Sequence, residues 1–435
     1  MAHIRPFAGV HYARHRDIDF SKVIAPPYDV LDEKGKAELQ ARHPNNIVTV
    51  DLPHLPPKSV GPDAVYDKAN TLFQAWLKGG VLKRDTRPAL YPYSQSFDHN
   101  GRTLHRRGFV CLVRLSPFGQ GQVVPHERTY DNPIEDRLKL MRATGMQLSP
   151  IFGLYSDSRN EVTRLLYQNL GRPEVNGTLD GVQHSMWSQI DAELENQIVD
   201  LLGTKPVYIA DGHHRYTTAL QYQFEQEQAH GGPLPPAHPA NWCMFVLVGM
   251  QDDGLIILPT HRLIGGLSEF NLAAFREAIA PNFDVTQTPL GPEHVDEFIN
   301  NVLPSQPAHT FGLYDGRTNK LYQLRCKNVD VVKDLEPERS EAWCRLDVAI
   351  LQRYLLDEVI QPNFAGGKEL TKGYTADPFE VAPTVDGSRY QIALLLRSTP
   401  LRALEQLAAH NEVMPQKSTF FYPKLATGMI INPLR

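Results

Sequence analysis

The chain has 435 residues, 42% hydrophobic and 21% charged. That balance excludes a disordered or fibrous polypeptide, and at ~150 residues per domain it points to two or three domains. Forty-four basic against 49 acidic side chains leave a formal charge of −5, which argues against a surface that coats nucleic acid. The four cysteines lie far apart without a C-x-x-C pair, and no apolar stretch approaches the ~20 residues that span a bilayer. The expectation is a cytoplasmic protein with no membrane partner.

In chain order, Pro26-Pro27-Tyr28-Asp29 reads as a rigid turn, and the charged residues around 32–36 open a helical stretch. Val65, Ala69, Leu72, Phe73 and Trp76 recur at helical spacing over 63–78, closed by Gly79-Gly80. Runs 90–97 and 103–115 are expected to form a β-hairpin around Asn100-Gly101. Asp131 or Asn132 can cap the next helix, with Pro133 in its first position, Ile134, Leu138 and Met141 as its buried stripe and Gly145 at its end. A strand follows at 150–155, a short amphipathic helix at 192–202 and a strand at 207–210. The next helix carries Tyr216, Leu220 and Phe224 on one face. A second hairpin is expected from 243–248 and 255–258, turning at Asp252-Asp253-Gly254. The last third holds a hairpin around Gly316, a long helix over 345–360 halted by Pro362, and strands at 391–396 and 419–422. Helices and hairpins mix without regular βαβ alternation, so the fold class is α+β.

The sharpest chemical feature is Asp211-Gly212-His213-His214-Arg215, set between a strand and a helix. A helix amino terminus presents unpaired N–H groups and a partial positive charge that attract phosphate. Gly212 permits a sharp turn, Arg215 can hold two phosphate oxygens, and the histidines add donors. Asp211 is the misfit, because a carboxylate repels phosphate unless a cation intervenes or it caps the helix. The plain alternative is therefore an N-cap with solvated histidines. Metal binding by the histidine pair alone is disfavoured, since adjacent helical residues face apart.

Three other polar clusters stand out. His126-Glu127-Arg128 lies in the loop before the 132–142 helix, where a carboxylate beside His and Arg suits a general base or a magnesium ligand. Lys417-Ser418 ends like a Walker A loop but lacks its glycines, so it is no P-loop, although a lysine near phosphate stays open. Pro259-Thr260-His261-Arg262 reads as a structural knot.

Six segments carry a resemblance that runs from end to end: Ala25 to Val30, Pro125-His126-Glu127, Ser149 to Tyr155, Ile209 to Tyr216, Leu258 to Arg262, and Met414 to Lys424. In this order they resemble the domain of unknown function 1015 family. More remotely, His126-Glu127 followed by Asp211-Gly212-His213-His214-Arg215 resembles the ParB/sulfiredoxin-like superfamily, closest to the free-serine kinases. That resemblance implies a central ParB/sulfiredoxin-like domain at 101–270 with the phosphate site, between α+β regions at 1–100 and 271–435. It implies Glu127 as base, with Asp211 and His213 also catalytic. Gly212, His214, Arg215, His126, Arg128, Lys417 and Ser418 would bind nucleotide phosphates. ATP or ADP is the expected cofactor, with Mg2+, for which Asp211 is the candidate ligand. The implied activity is transfer of a phosphoryl group to a small hydroxylated acceptor, free serine first. The alternative is a ParB-like nucleotide switch without an acceptor. Sulfinic-acid repair is disfavoured, since His213 stands where sulfiredoxin needs cysteine. The separation of Glu127 from Asp211 is longer than in compact kinases of the group.

Overall fold

A computed structural model describes residues 3–14, 18–203, 205–268 and 270–435. The chain divides into two compact units, one made of residues 1–256 with 423–435 and the other of residues 257–422. The last thirteen residues thus rejoin the first unit after the second has been traversed.

The first unit is built on a nine-stranded mixed sheet. Its strands are β1 (Ile4–Arg5), β2 (Tyr91–His99), β3 (Arg102–Arg114), β4 (Val123–Val124), β5 (Ile151–Tyr155), β6 (Val175–Leu179), β7 (Val182–Met186), β8 (Val207–Asp211) and β9 (Trp242–Gly249). They run in the order β4-β8-β5-β9-β3-β2-β7-β6, with β1 also on β3. The expected β2–β3 hairpin forms. Asn100 and Gly101 sit at φ 49° and 72°, the left-handed pair that matches a two-residue turn to strand twist. Neighbours are antiparallel except β8 on β4 and β9 on β5. Alternating side chains Phe109, Cys111 and Val113 of β3 join Phe245 and Leu247 of β9 in one buried cluster. Each such apolar side chain contributes roughly 1.5–3 kcal/mol. Gly153 lets β5 approach β9, since a Cβ there would lie 2.8 Å from both Phe245 and Leu247.

Four helices bear on the argument: α1 (Asp63–Lys78), α2 (Asp131–Thr144), α3 (Ala192–Leu202) and α4 (His213–His230). α1 and α3 match their predicted spans, and Gly145 ends α2 in the left-handed conformation with its N–H on the Met141 carbonyl. The capping expectation for α2 fails. The cap position is Tyr130, with no side-chain hydrogen bond, and Asp131 already lies in the first turn. On α4 the buried face is Tyr216, Ala219 and Tyr222, whereas Phe224 is exposed. The second predicted hairpin does not form either. β9 pairs with β3 and β5, so its partners come from distant sequence and not from the run beyond Gly254.

The second unit carries a six-stranded antiparallel sheet of β10 (His261–Gly265), β11 (Phe283–Gln287), β12 (Thr310–Asp315), β13 (Lys320–Cys326), β14 (Thr371–Thr375) and β15 (Ile392–Leu395). The order is β11-β13-β12-β15-β10-β14, and the predicted hairpin around Gly316 is the β12–β13 pair. Leu263, Phe298, Leu321 and Leu395 centre its core. The long helical coil starts at Asp347, widens to π-type bonding over Ile350–Ile360, and continues through Pro362 to Phe364. Proline does not halt it: the coil runs two residues past Pro362 and ends at Phe364. The architecture is α+β. Among the described residues no helix is long and apolar enough to cross a membrane.

Candidate functional site

Strand β8 runs into α4 through Gly212, whose φ of 97° lies in the left-handed region. An L-residue there would be strained, and its Cβ would meet the Arg215 guanidinium at 3.0 Å. β4 pairs with β8 in parallel, Val124 opposite Tyr208. Both chains therefore leave the sheet at the same end, which brings the loop after β4 to the start of α4.

That loop and helix are tied by histidines in defined states. His126 Nδ1 donates to the Ile209 carbonyl at 2.6 Å. The His126 backbone N–H donates to His213 Nε2 at 3.2 Å. An accepting Nε2 leaves the neutral His213 ring with its proton on Nδ1. Nδ1 faces Glu127 Oε2 at 3.9 Å, so Glu127 and the 211–215 turn share one locality. His126 and His213 pack edge to face, with centroids 4.5 Å apart. The Tyr130 N–H donates to His214 Nε2 at 3.1 Å, and the Tyr130 ring stacks on that imidazole. Burial, reinforced by His126, holds His213 well below the usual histidine pKa. Burial also lowers His126, against the opposing charge of Glu127.

Asp211 does not cap α4. The cap residue Gly212 has no side-chain partner for the first turn. The register of β8 against β5 shifts between Ile209 and Asp211, an irregularity of the kind that re-aims a side chain at a strand end. Asp211 Oδ1 accepts from Lys424 Nζ at 2.9 Å, and Oδ2 accepts from Arg215 Nη2 at 2.7 Å. Burial disfavours the charged carboxylate, yet Lys424 and then Arg215 outweigh it and hold Asp211 well below the usual range. Arg215 also donates through Nη1 to the Pro150 carbonyl.

Lys424 is the residue that sequence reasoning left out of the site. Its backbone is clamped from the hairpin, since Gln95 Nε2 donates to the Lys424 carbonyl at 2.8 Å and Arg106 Nη2 to the Pro423 carbonyl at 2.5 Å. Arg106 Nε in turn donates to Gln95 Oε1 at 3.0 Å. Burial pushes the Arg106 pKa down to about 10. The available signal was strand alternation, because Arg106 shares a face of β3 with buried Val110 and Leu112.

The turn therefore gathers His126, Glu127, Asp211, Gly212, His213, His214 and Arg215, and adds Lys424. Arg128 lies exposed on the same loop. Lys417 and Ser418 belong to the second unit, where the Lys417 carbonyl accepts from Arg262 Nη1 at 3.0 Å and Ser418 Oγ donates to the Pro415 carbonyl. Both oxygens of Asp211 already face cations, an arrangement that opposes a metal ion at this carboxylate. Among the described residues no group of three or more His, Cys, Asp or Glu could hold one.

Solved structures with a similar chain trace include a free serine kinase variant in complex with AMP, at 11% identity, covering 69% of this chain and 83% of that one, with a TM-score of 0.34. A conserved hypothetical protein from Pyrococcus furiosus matches at 12% identity over 70% and 89%, TM-score 0.32. Truncated SbnI from Staphylococcus aureus matches at 10% over 75% and 87%, TM-score 0.33. No curated protein matches the sequence. The sequence pattern described as protein of unknown function DUF1015 matches residues 4–349, and the chain belongs to that family.

Proposed function

We propose that this protein is a nucleotide-dependent phosphotransferase acting on a small hydroxylated acceptor, with free serine as the first acceptor to test. One observation carries the reading: Asp211 does not cap the helix it precedes, and its two oxygens are matched by Lys424 and by Arg215 of the first turn. The amino end of the 18-residue α4 then has no side-chain cap. It presents N–H groups to an anion, and the neighbouring carboxylate no longer repels one. The helix end alone is worth about 0.3–1 kcal/mol at an exposed site, so the two cations and the His213 Nδ1–H are needed for firm binding. With Asp211 counted, Lys424 and Arg215 leave one net positive charge where a transferring phosphoryl group concentrates negative charge, and the neutral His213 adds a donor.

Glu127 is the base in this scheme. It takes the proton of the acceptor hydroxyl as the new O–P bond forms and the bond from phosphorus to the nucleotide's leaving oxygen breaks. Glu127 Oε2 lies 3.9 Å from His213 Nδ1. Such a base contributes ~10²–10⁴-fold. Asp211, with both oxygens engaged by Lys424 and Arg215, is a poor fit for a metal ion.

The test is incubation of the purified chain with ATP or ADP, magnesium and serine, followed by phosphorus NMR for phosphoserine. Phosphoserine that disappears in Glu127→Gln, with nucleotide binding retained, is the expected result. Nucleotide binding without any phosphoserine would remove the serine-directed version. Phosphate release that ignores the acceptor would favour a nucleotide-operated switch.

A further inference from the structure

The second unit contains a cleft of about 850 Å3, within the size range of small-ligand sites. Its position follows from the sheet. β12 and β15 are antiparallel neighbours, Gly312 opposite Leu395, so the residue before β12 and the residues after β15 leave the sheet at one end. His309 and Arg397 occupy those positions, and Asp347 begins the helical coil beside them. His309 Nδ1 and Asp347 Oδ1 are 2.8 Å apart, and Arg397 Nη2 donates to Asp347 Oδ2 at 3.2 Å. The carboxylate fixes Nδ1 as the protonated ring nitrogen, leaving Nε2 as the acceptor of a neutral ring. His309 also has a φ of 61°, a conformation that residues with a side chain seldom adopt and that tends to recur at ligand sites.

The lining of the cleft carries three arginines, Arg345, Arg397 and Arg402, against two carboxylates, Glu341 and Asp347. Asp347 is matched by Arg397, and Glu341 by Arg345, which also meets Asp330. Arg402, exposed in the first turn of the helix Arg402–Ala409, has no ion-pair partner among the described residues. Arg397 lines the cleft, its Nη1 donating to the Gln306 carbonyl at 3.2 Å and its Nε buried without an acceptor among the described residues. Between these groups the walls are apolar, formed by Leu346, Pro400 and Ala403.

We propose that this cleft binds a small organic anion, its carboxylate or phosphate held by Arg402 and Arg397 beside the His309–Asp347 pair, its apolar body against Leu346 and Pro400. The inference is independent of the activity assigned to the 211–215 turn. The test is calorimetric titration of the full chain with phenyl phosphate, with benzoate and with neutral benzyl alcohol. Saturable binding of at least one anion, weakened about tenfold in Arg402→Gln and in Arg397→Gln, is expected from loss of a charged hydrogen bond. Which anion binds more tightly separates phosphate from carboxylate recognition. The proposal is overturned if neither anion saturates by ~10 mM, if benzyl alcohol binds equally well, or if Arg402→Gln leaves both affinities unchanged. Arg402 is exposed, so that variant tests binding without disturbing the fold.

Discussion

Replacing Lys424 with methionine keeps the apolar stem and removes the charge that faces Asp211 at 2.9 Å. Coulomb's law at that distance gives about 1.4 kcal/mol in bulk water and about 6 kcal/mol at an effective dielectric near 20. The two side chains are only 20% and 23% exposed, which favours the stronger end. Against this, Arg215 stays 2.7 Å from the other carboxylate oxygen, and the lysine no longer has to be desolvated. A net loss of about 1–3 kcal/mol follows, between exposed and fully buried pairs. Urea unfolding by tryptophan fluorescence measures it. Three of the four tryptophans (Trp76, Trp187 and Trp242) lie in the first unit, so a Trp343→Phe background confines the signal to that unit. The decisive quantity is the coupling energy from Lys424→Met, Asp211→Asn and the double variant. Additive effects to within ~0.5 kcal/mol would show that the pair carries no stability and would refute the charge argument.

The remaining predictions use the same background. Gly212→Ala should destabilise the first unit by about 1–2 kcal/mol, the penalty for a left-handed L-residue, seen as a lower urea midpoint. His126, His184 and His213 are all held below the usual histidine pKa by burial, His184 down to about 3. The unfolded chain therefore binds protons near pH 6.5 that the folded chain refuses. Stability is full above that pH and falls as pH drops, by up to about 1.4 kcal/mol per pH unit per histidine. His184→Gln should remove one proton's share of the slope between pH 7 and 5, measured from urea midpoints. Asp211 has a depressed pKa, so its contribution is present above the unfolded value near 3.9 and is lost only in stronger acid. Glu127→Gln should lower phosphoserine formation about 10²-fold or more while leaving the nucleotide-induced thermal shift in place.

Local signals were readable where structure is local. The spacing over Asp63–Lys78, the Asn100-Gly101 turn and the Gly145 stop each depend on neighbours within a few residues, and each is found in the fold. Pairing between strands distant in sequence was not readable. β9 is buried throughout, so its apolar run carries no alternation to say which strands it joins, and the turn residues at 252–254 invited a hairpin that long-range pairing displaced. The Asp-Gly-His-His-Arg turn was visible as a cluster of donors between a strand and a helix. Its second cation was not, because Lys424 reaches Asp211 from 213 positions away and no periodicity links the two.

That separation has a bearing on how the molecule comes into being. A polypeptide emerging from its amino end completes α4 and Asp211 long before Pro423 and Lys424 exist, with the whole of residues 257–422 to be made in between. Until the tail docks on Gln95 and Arg106, the turn holds a carboxylate with one cation fewer. Early collapse of the intervening unit shortens the loop that docking must close, and the entropic cost of closure grows only logarithmically with loop length. In synthesis the turn therefore receives its last side chain only after residues 257–422, which contribute none to it, have been made.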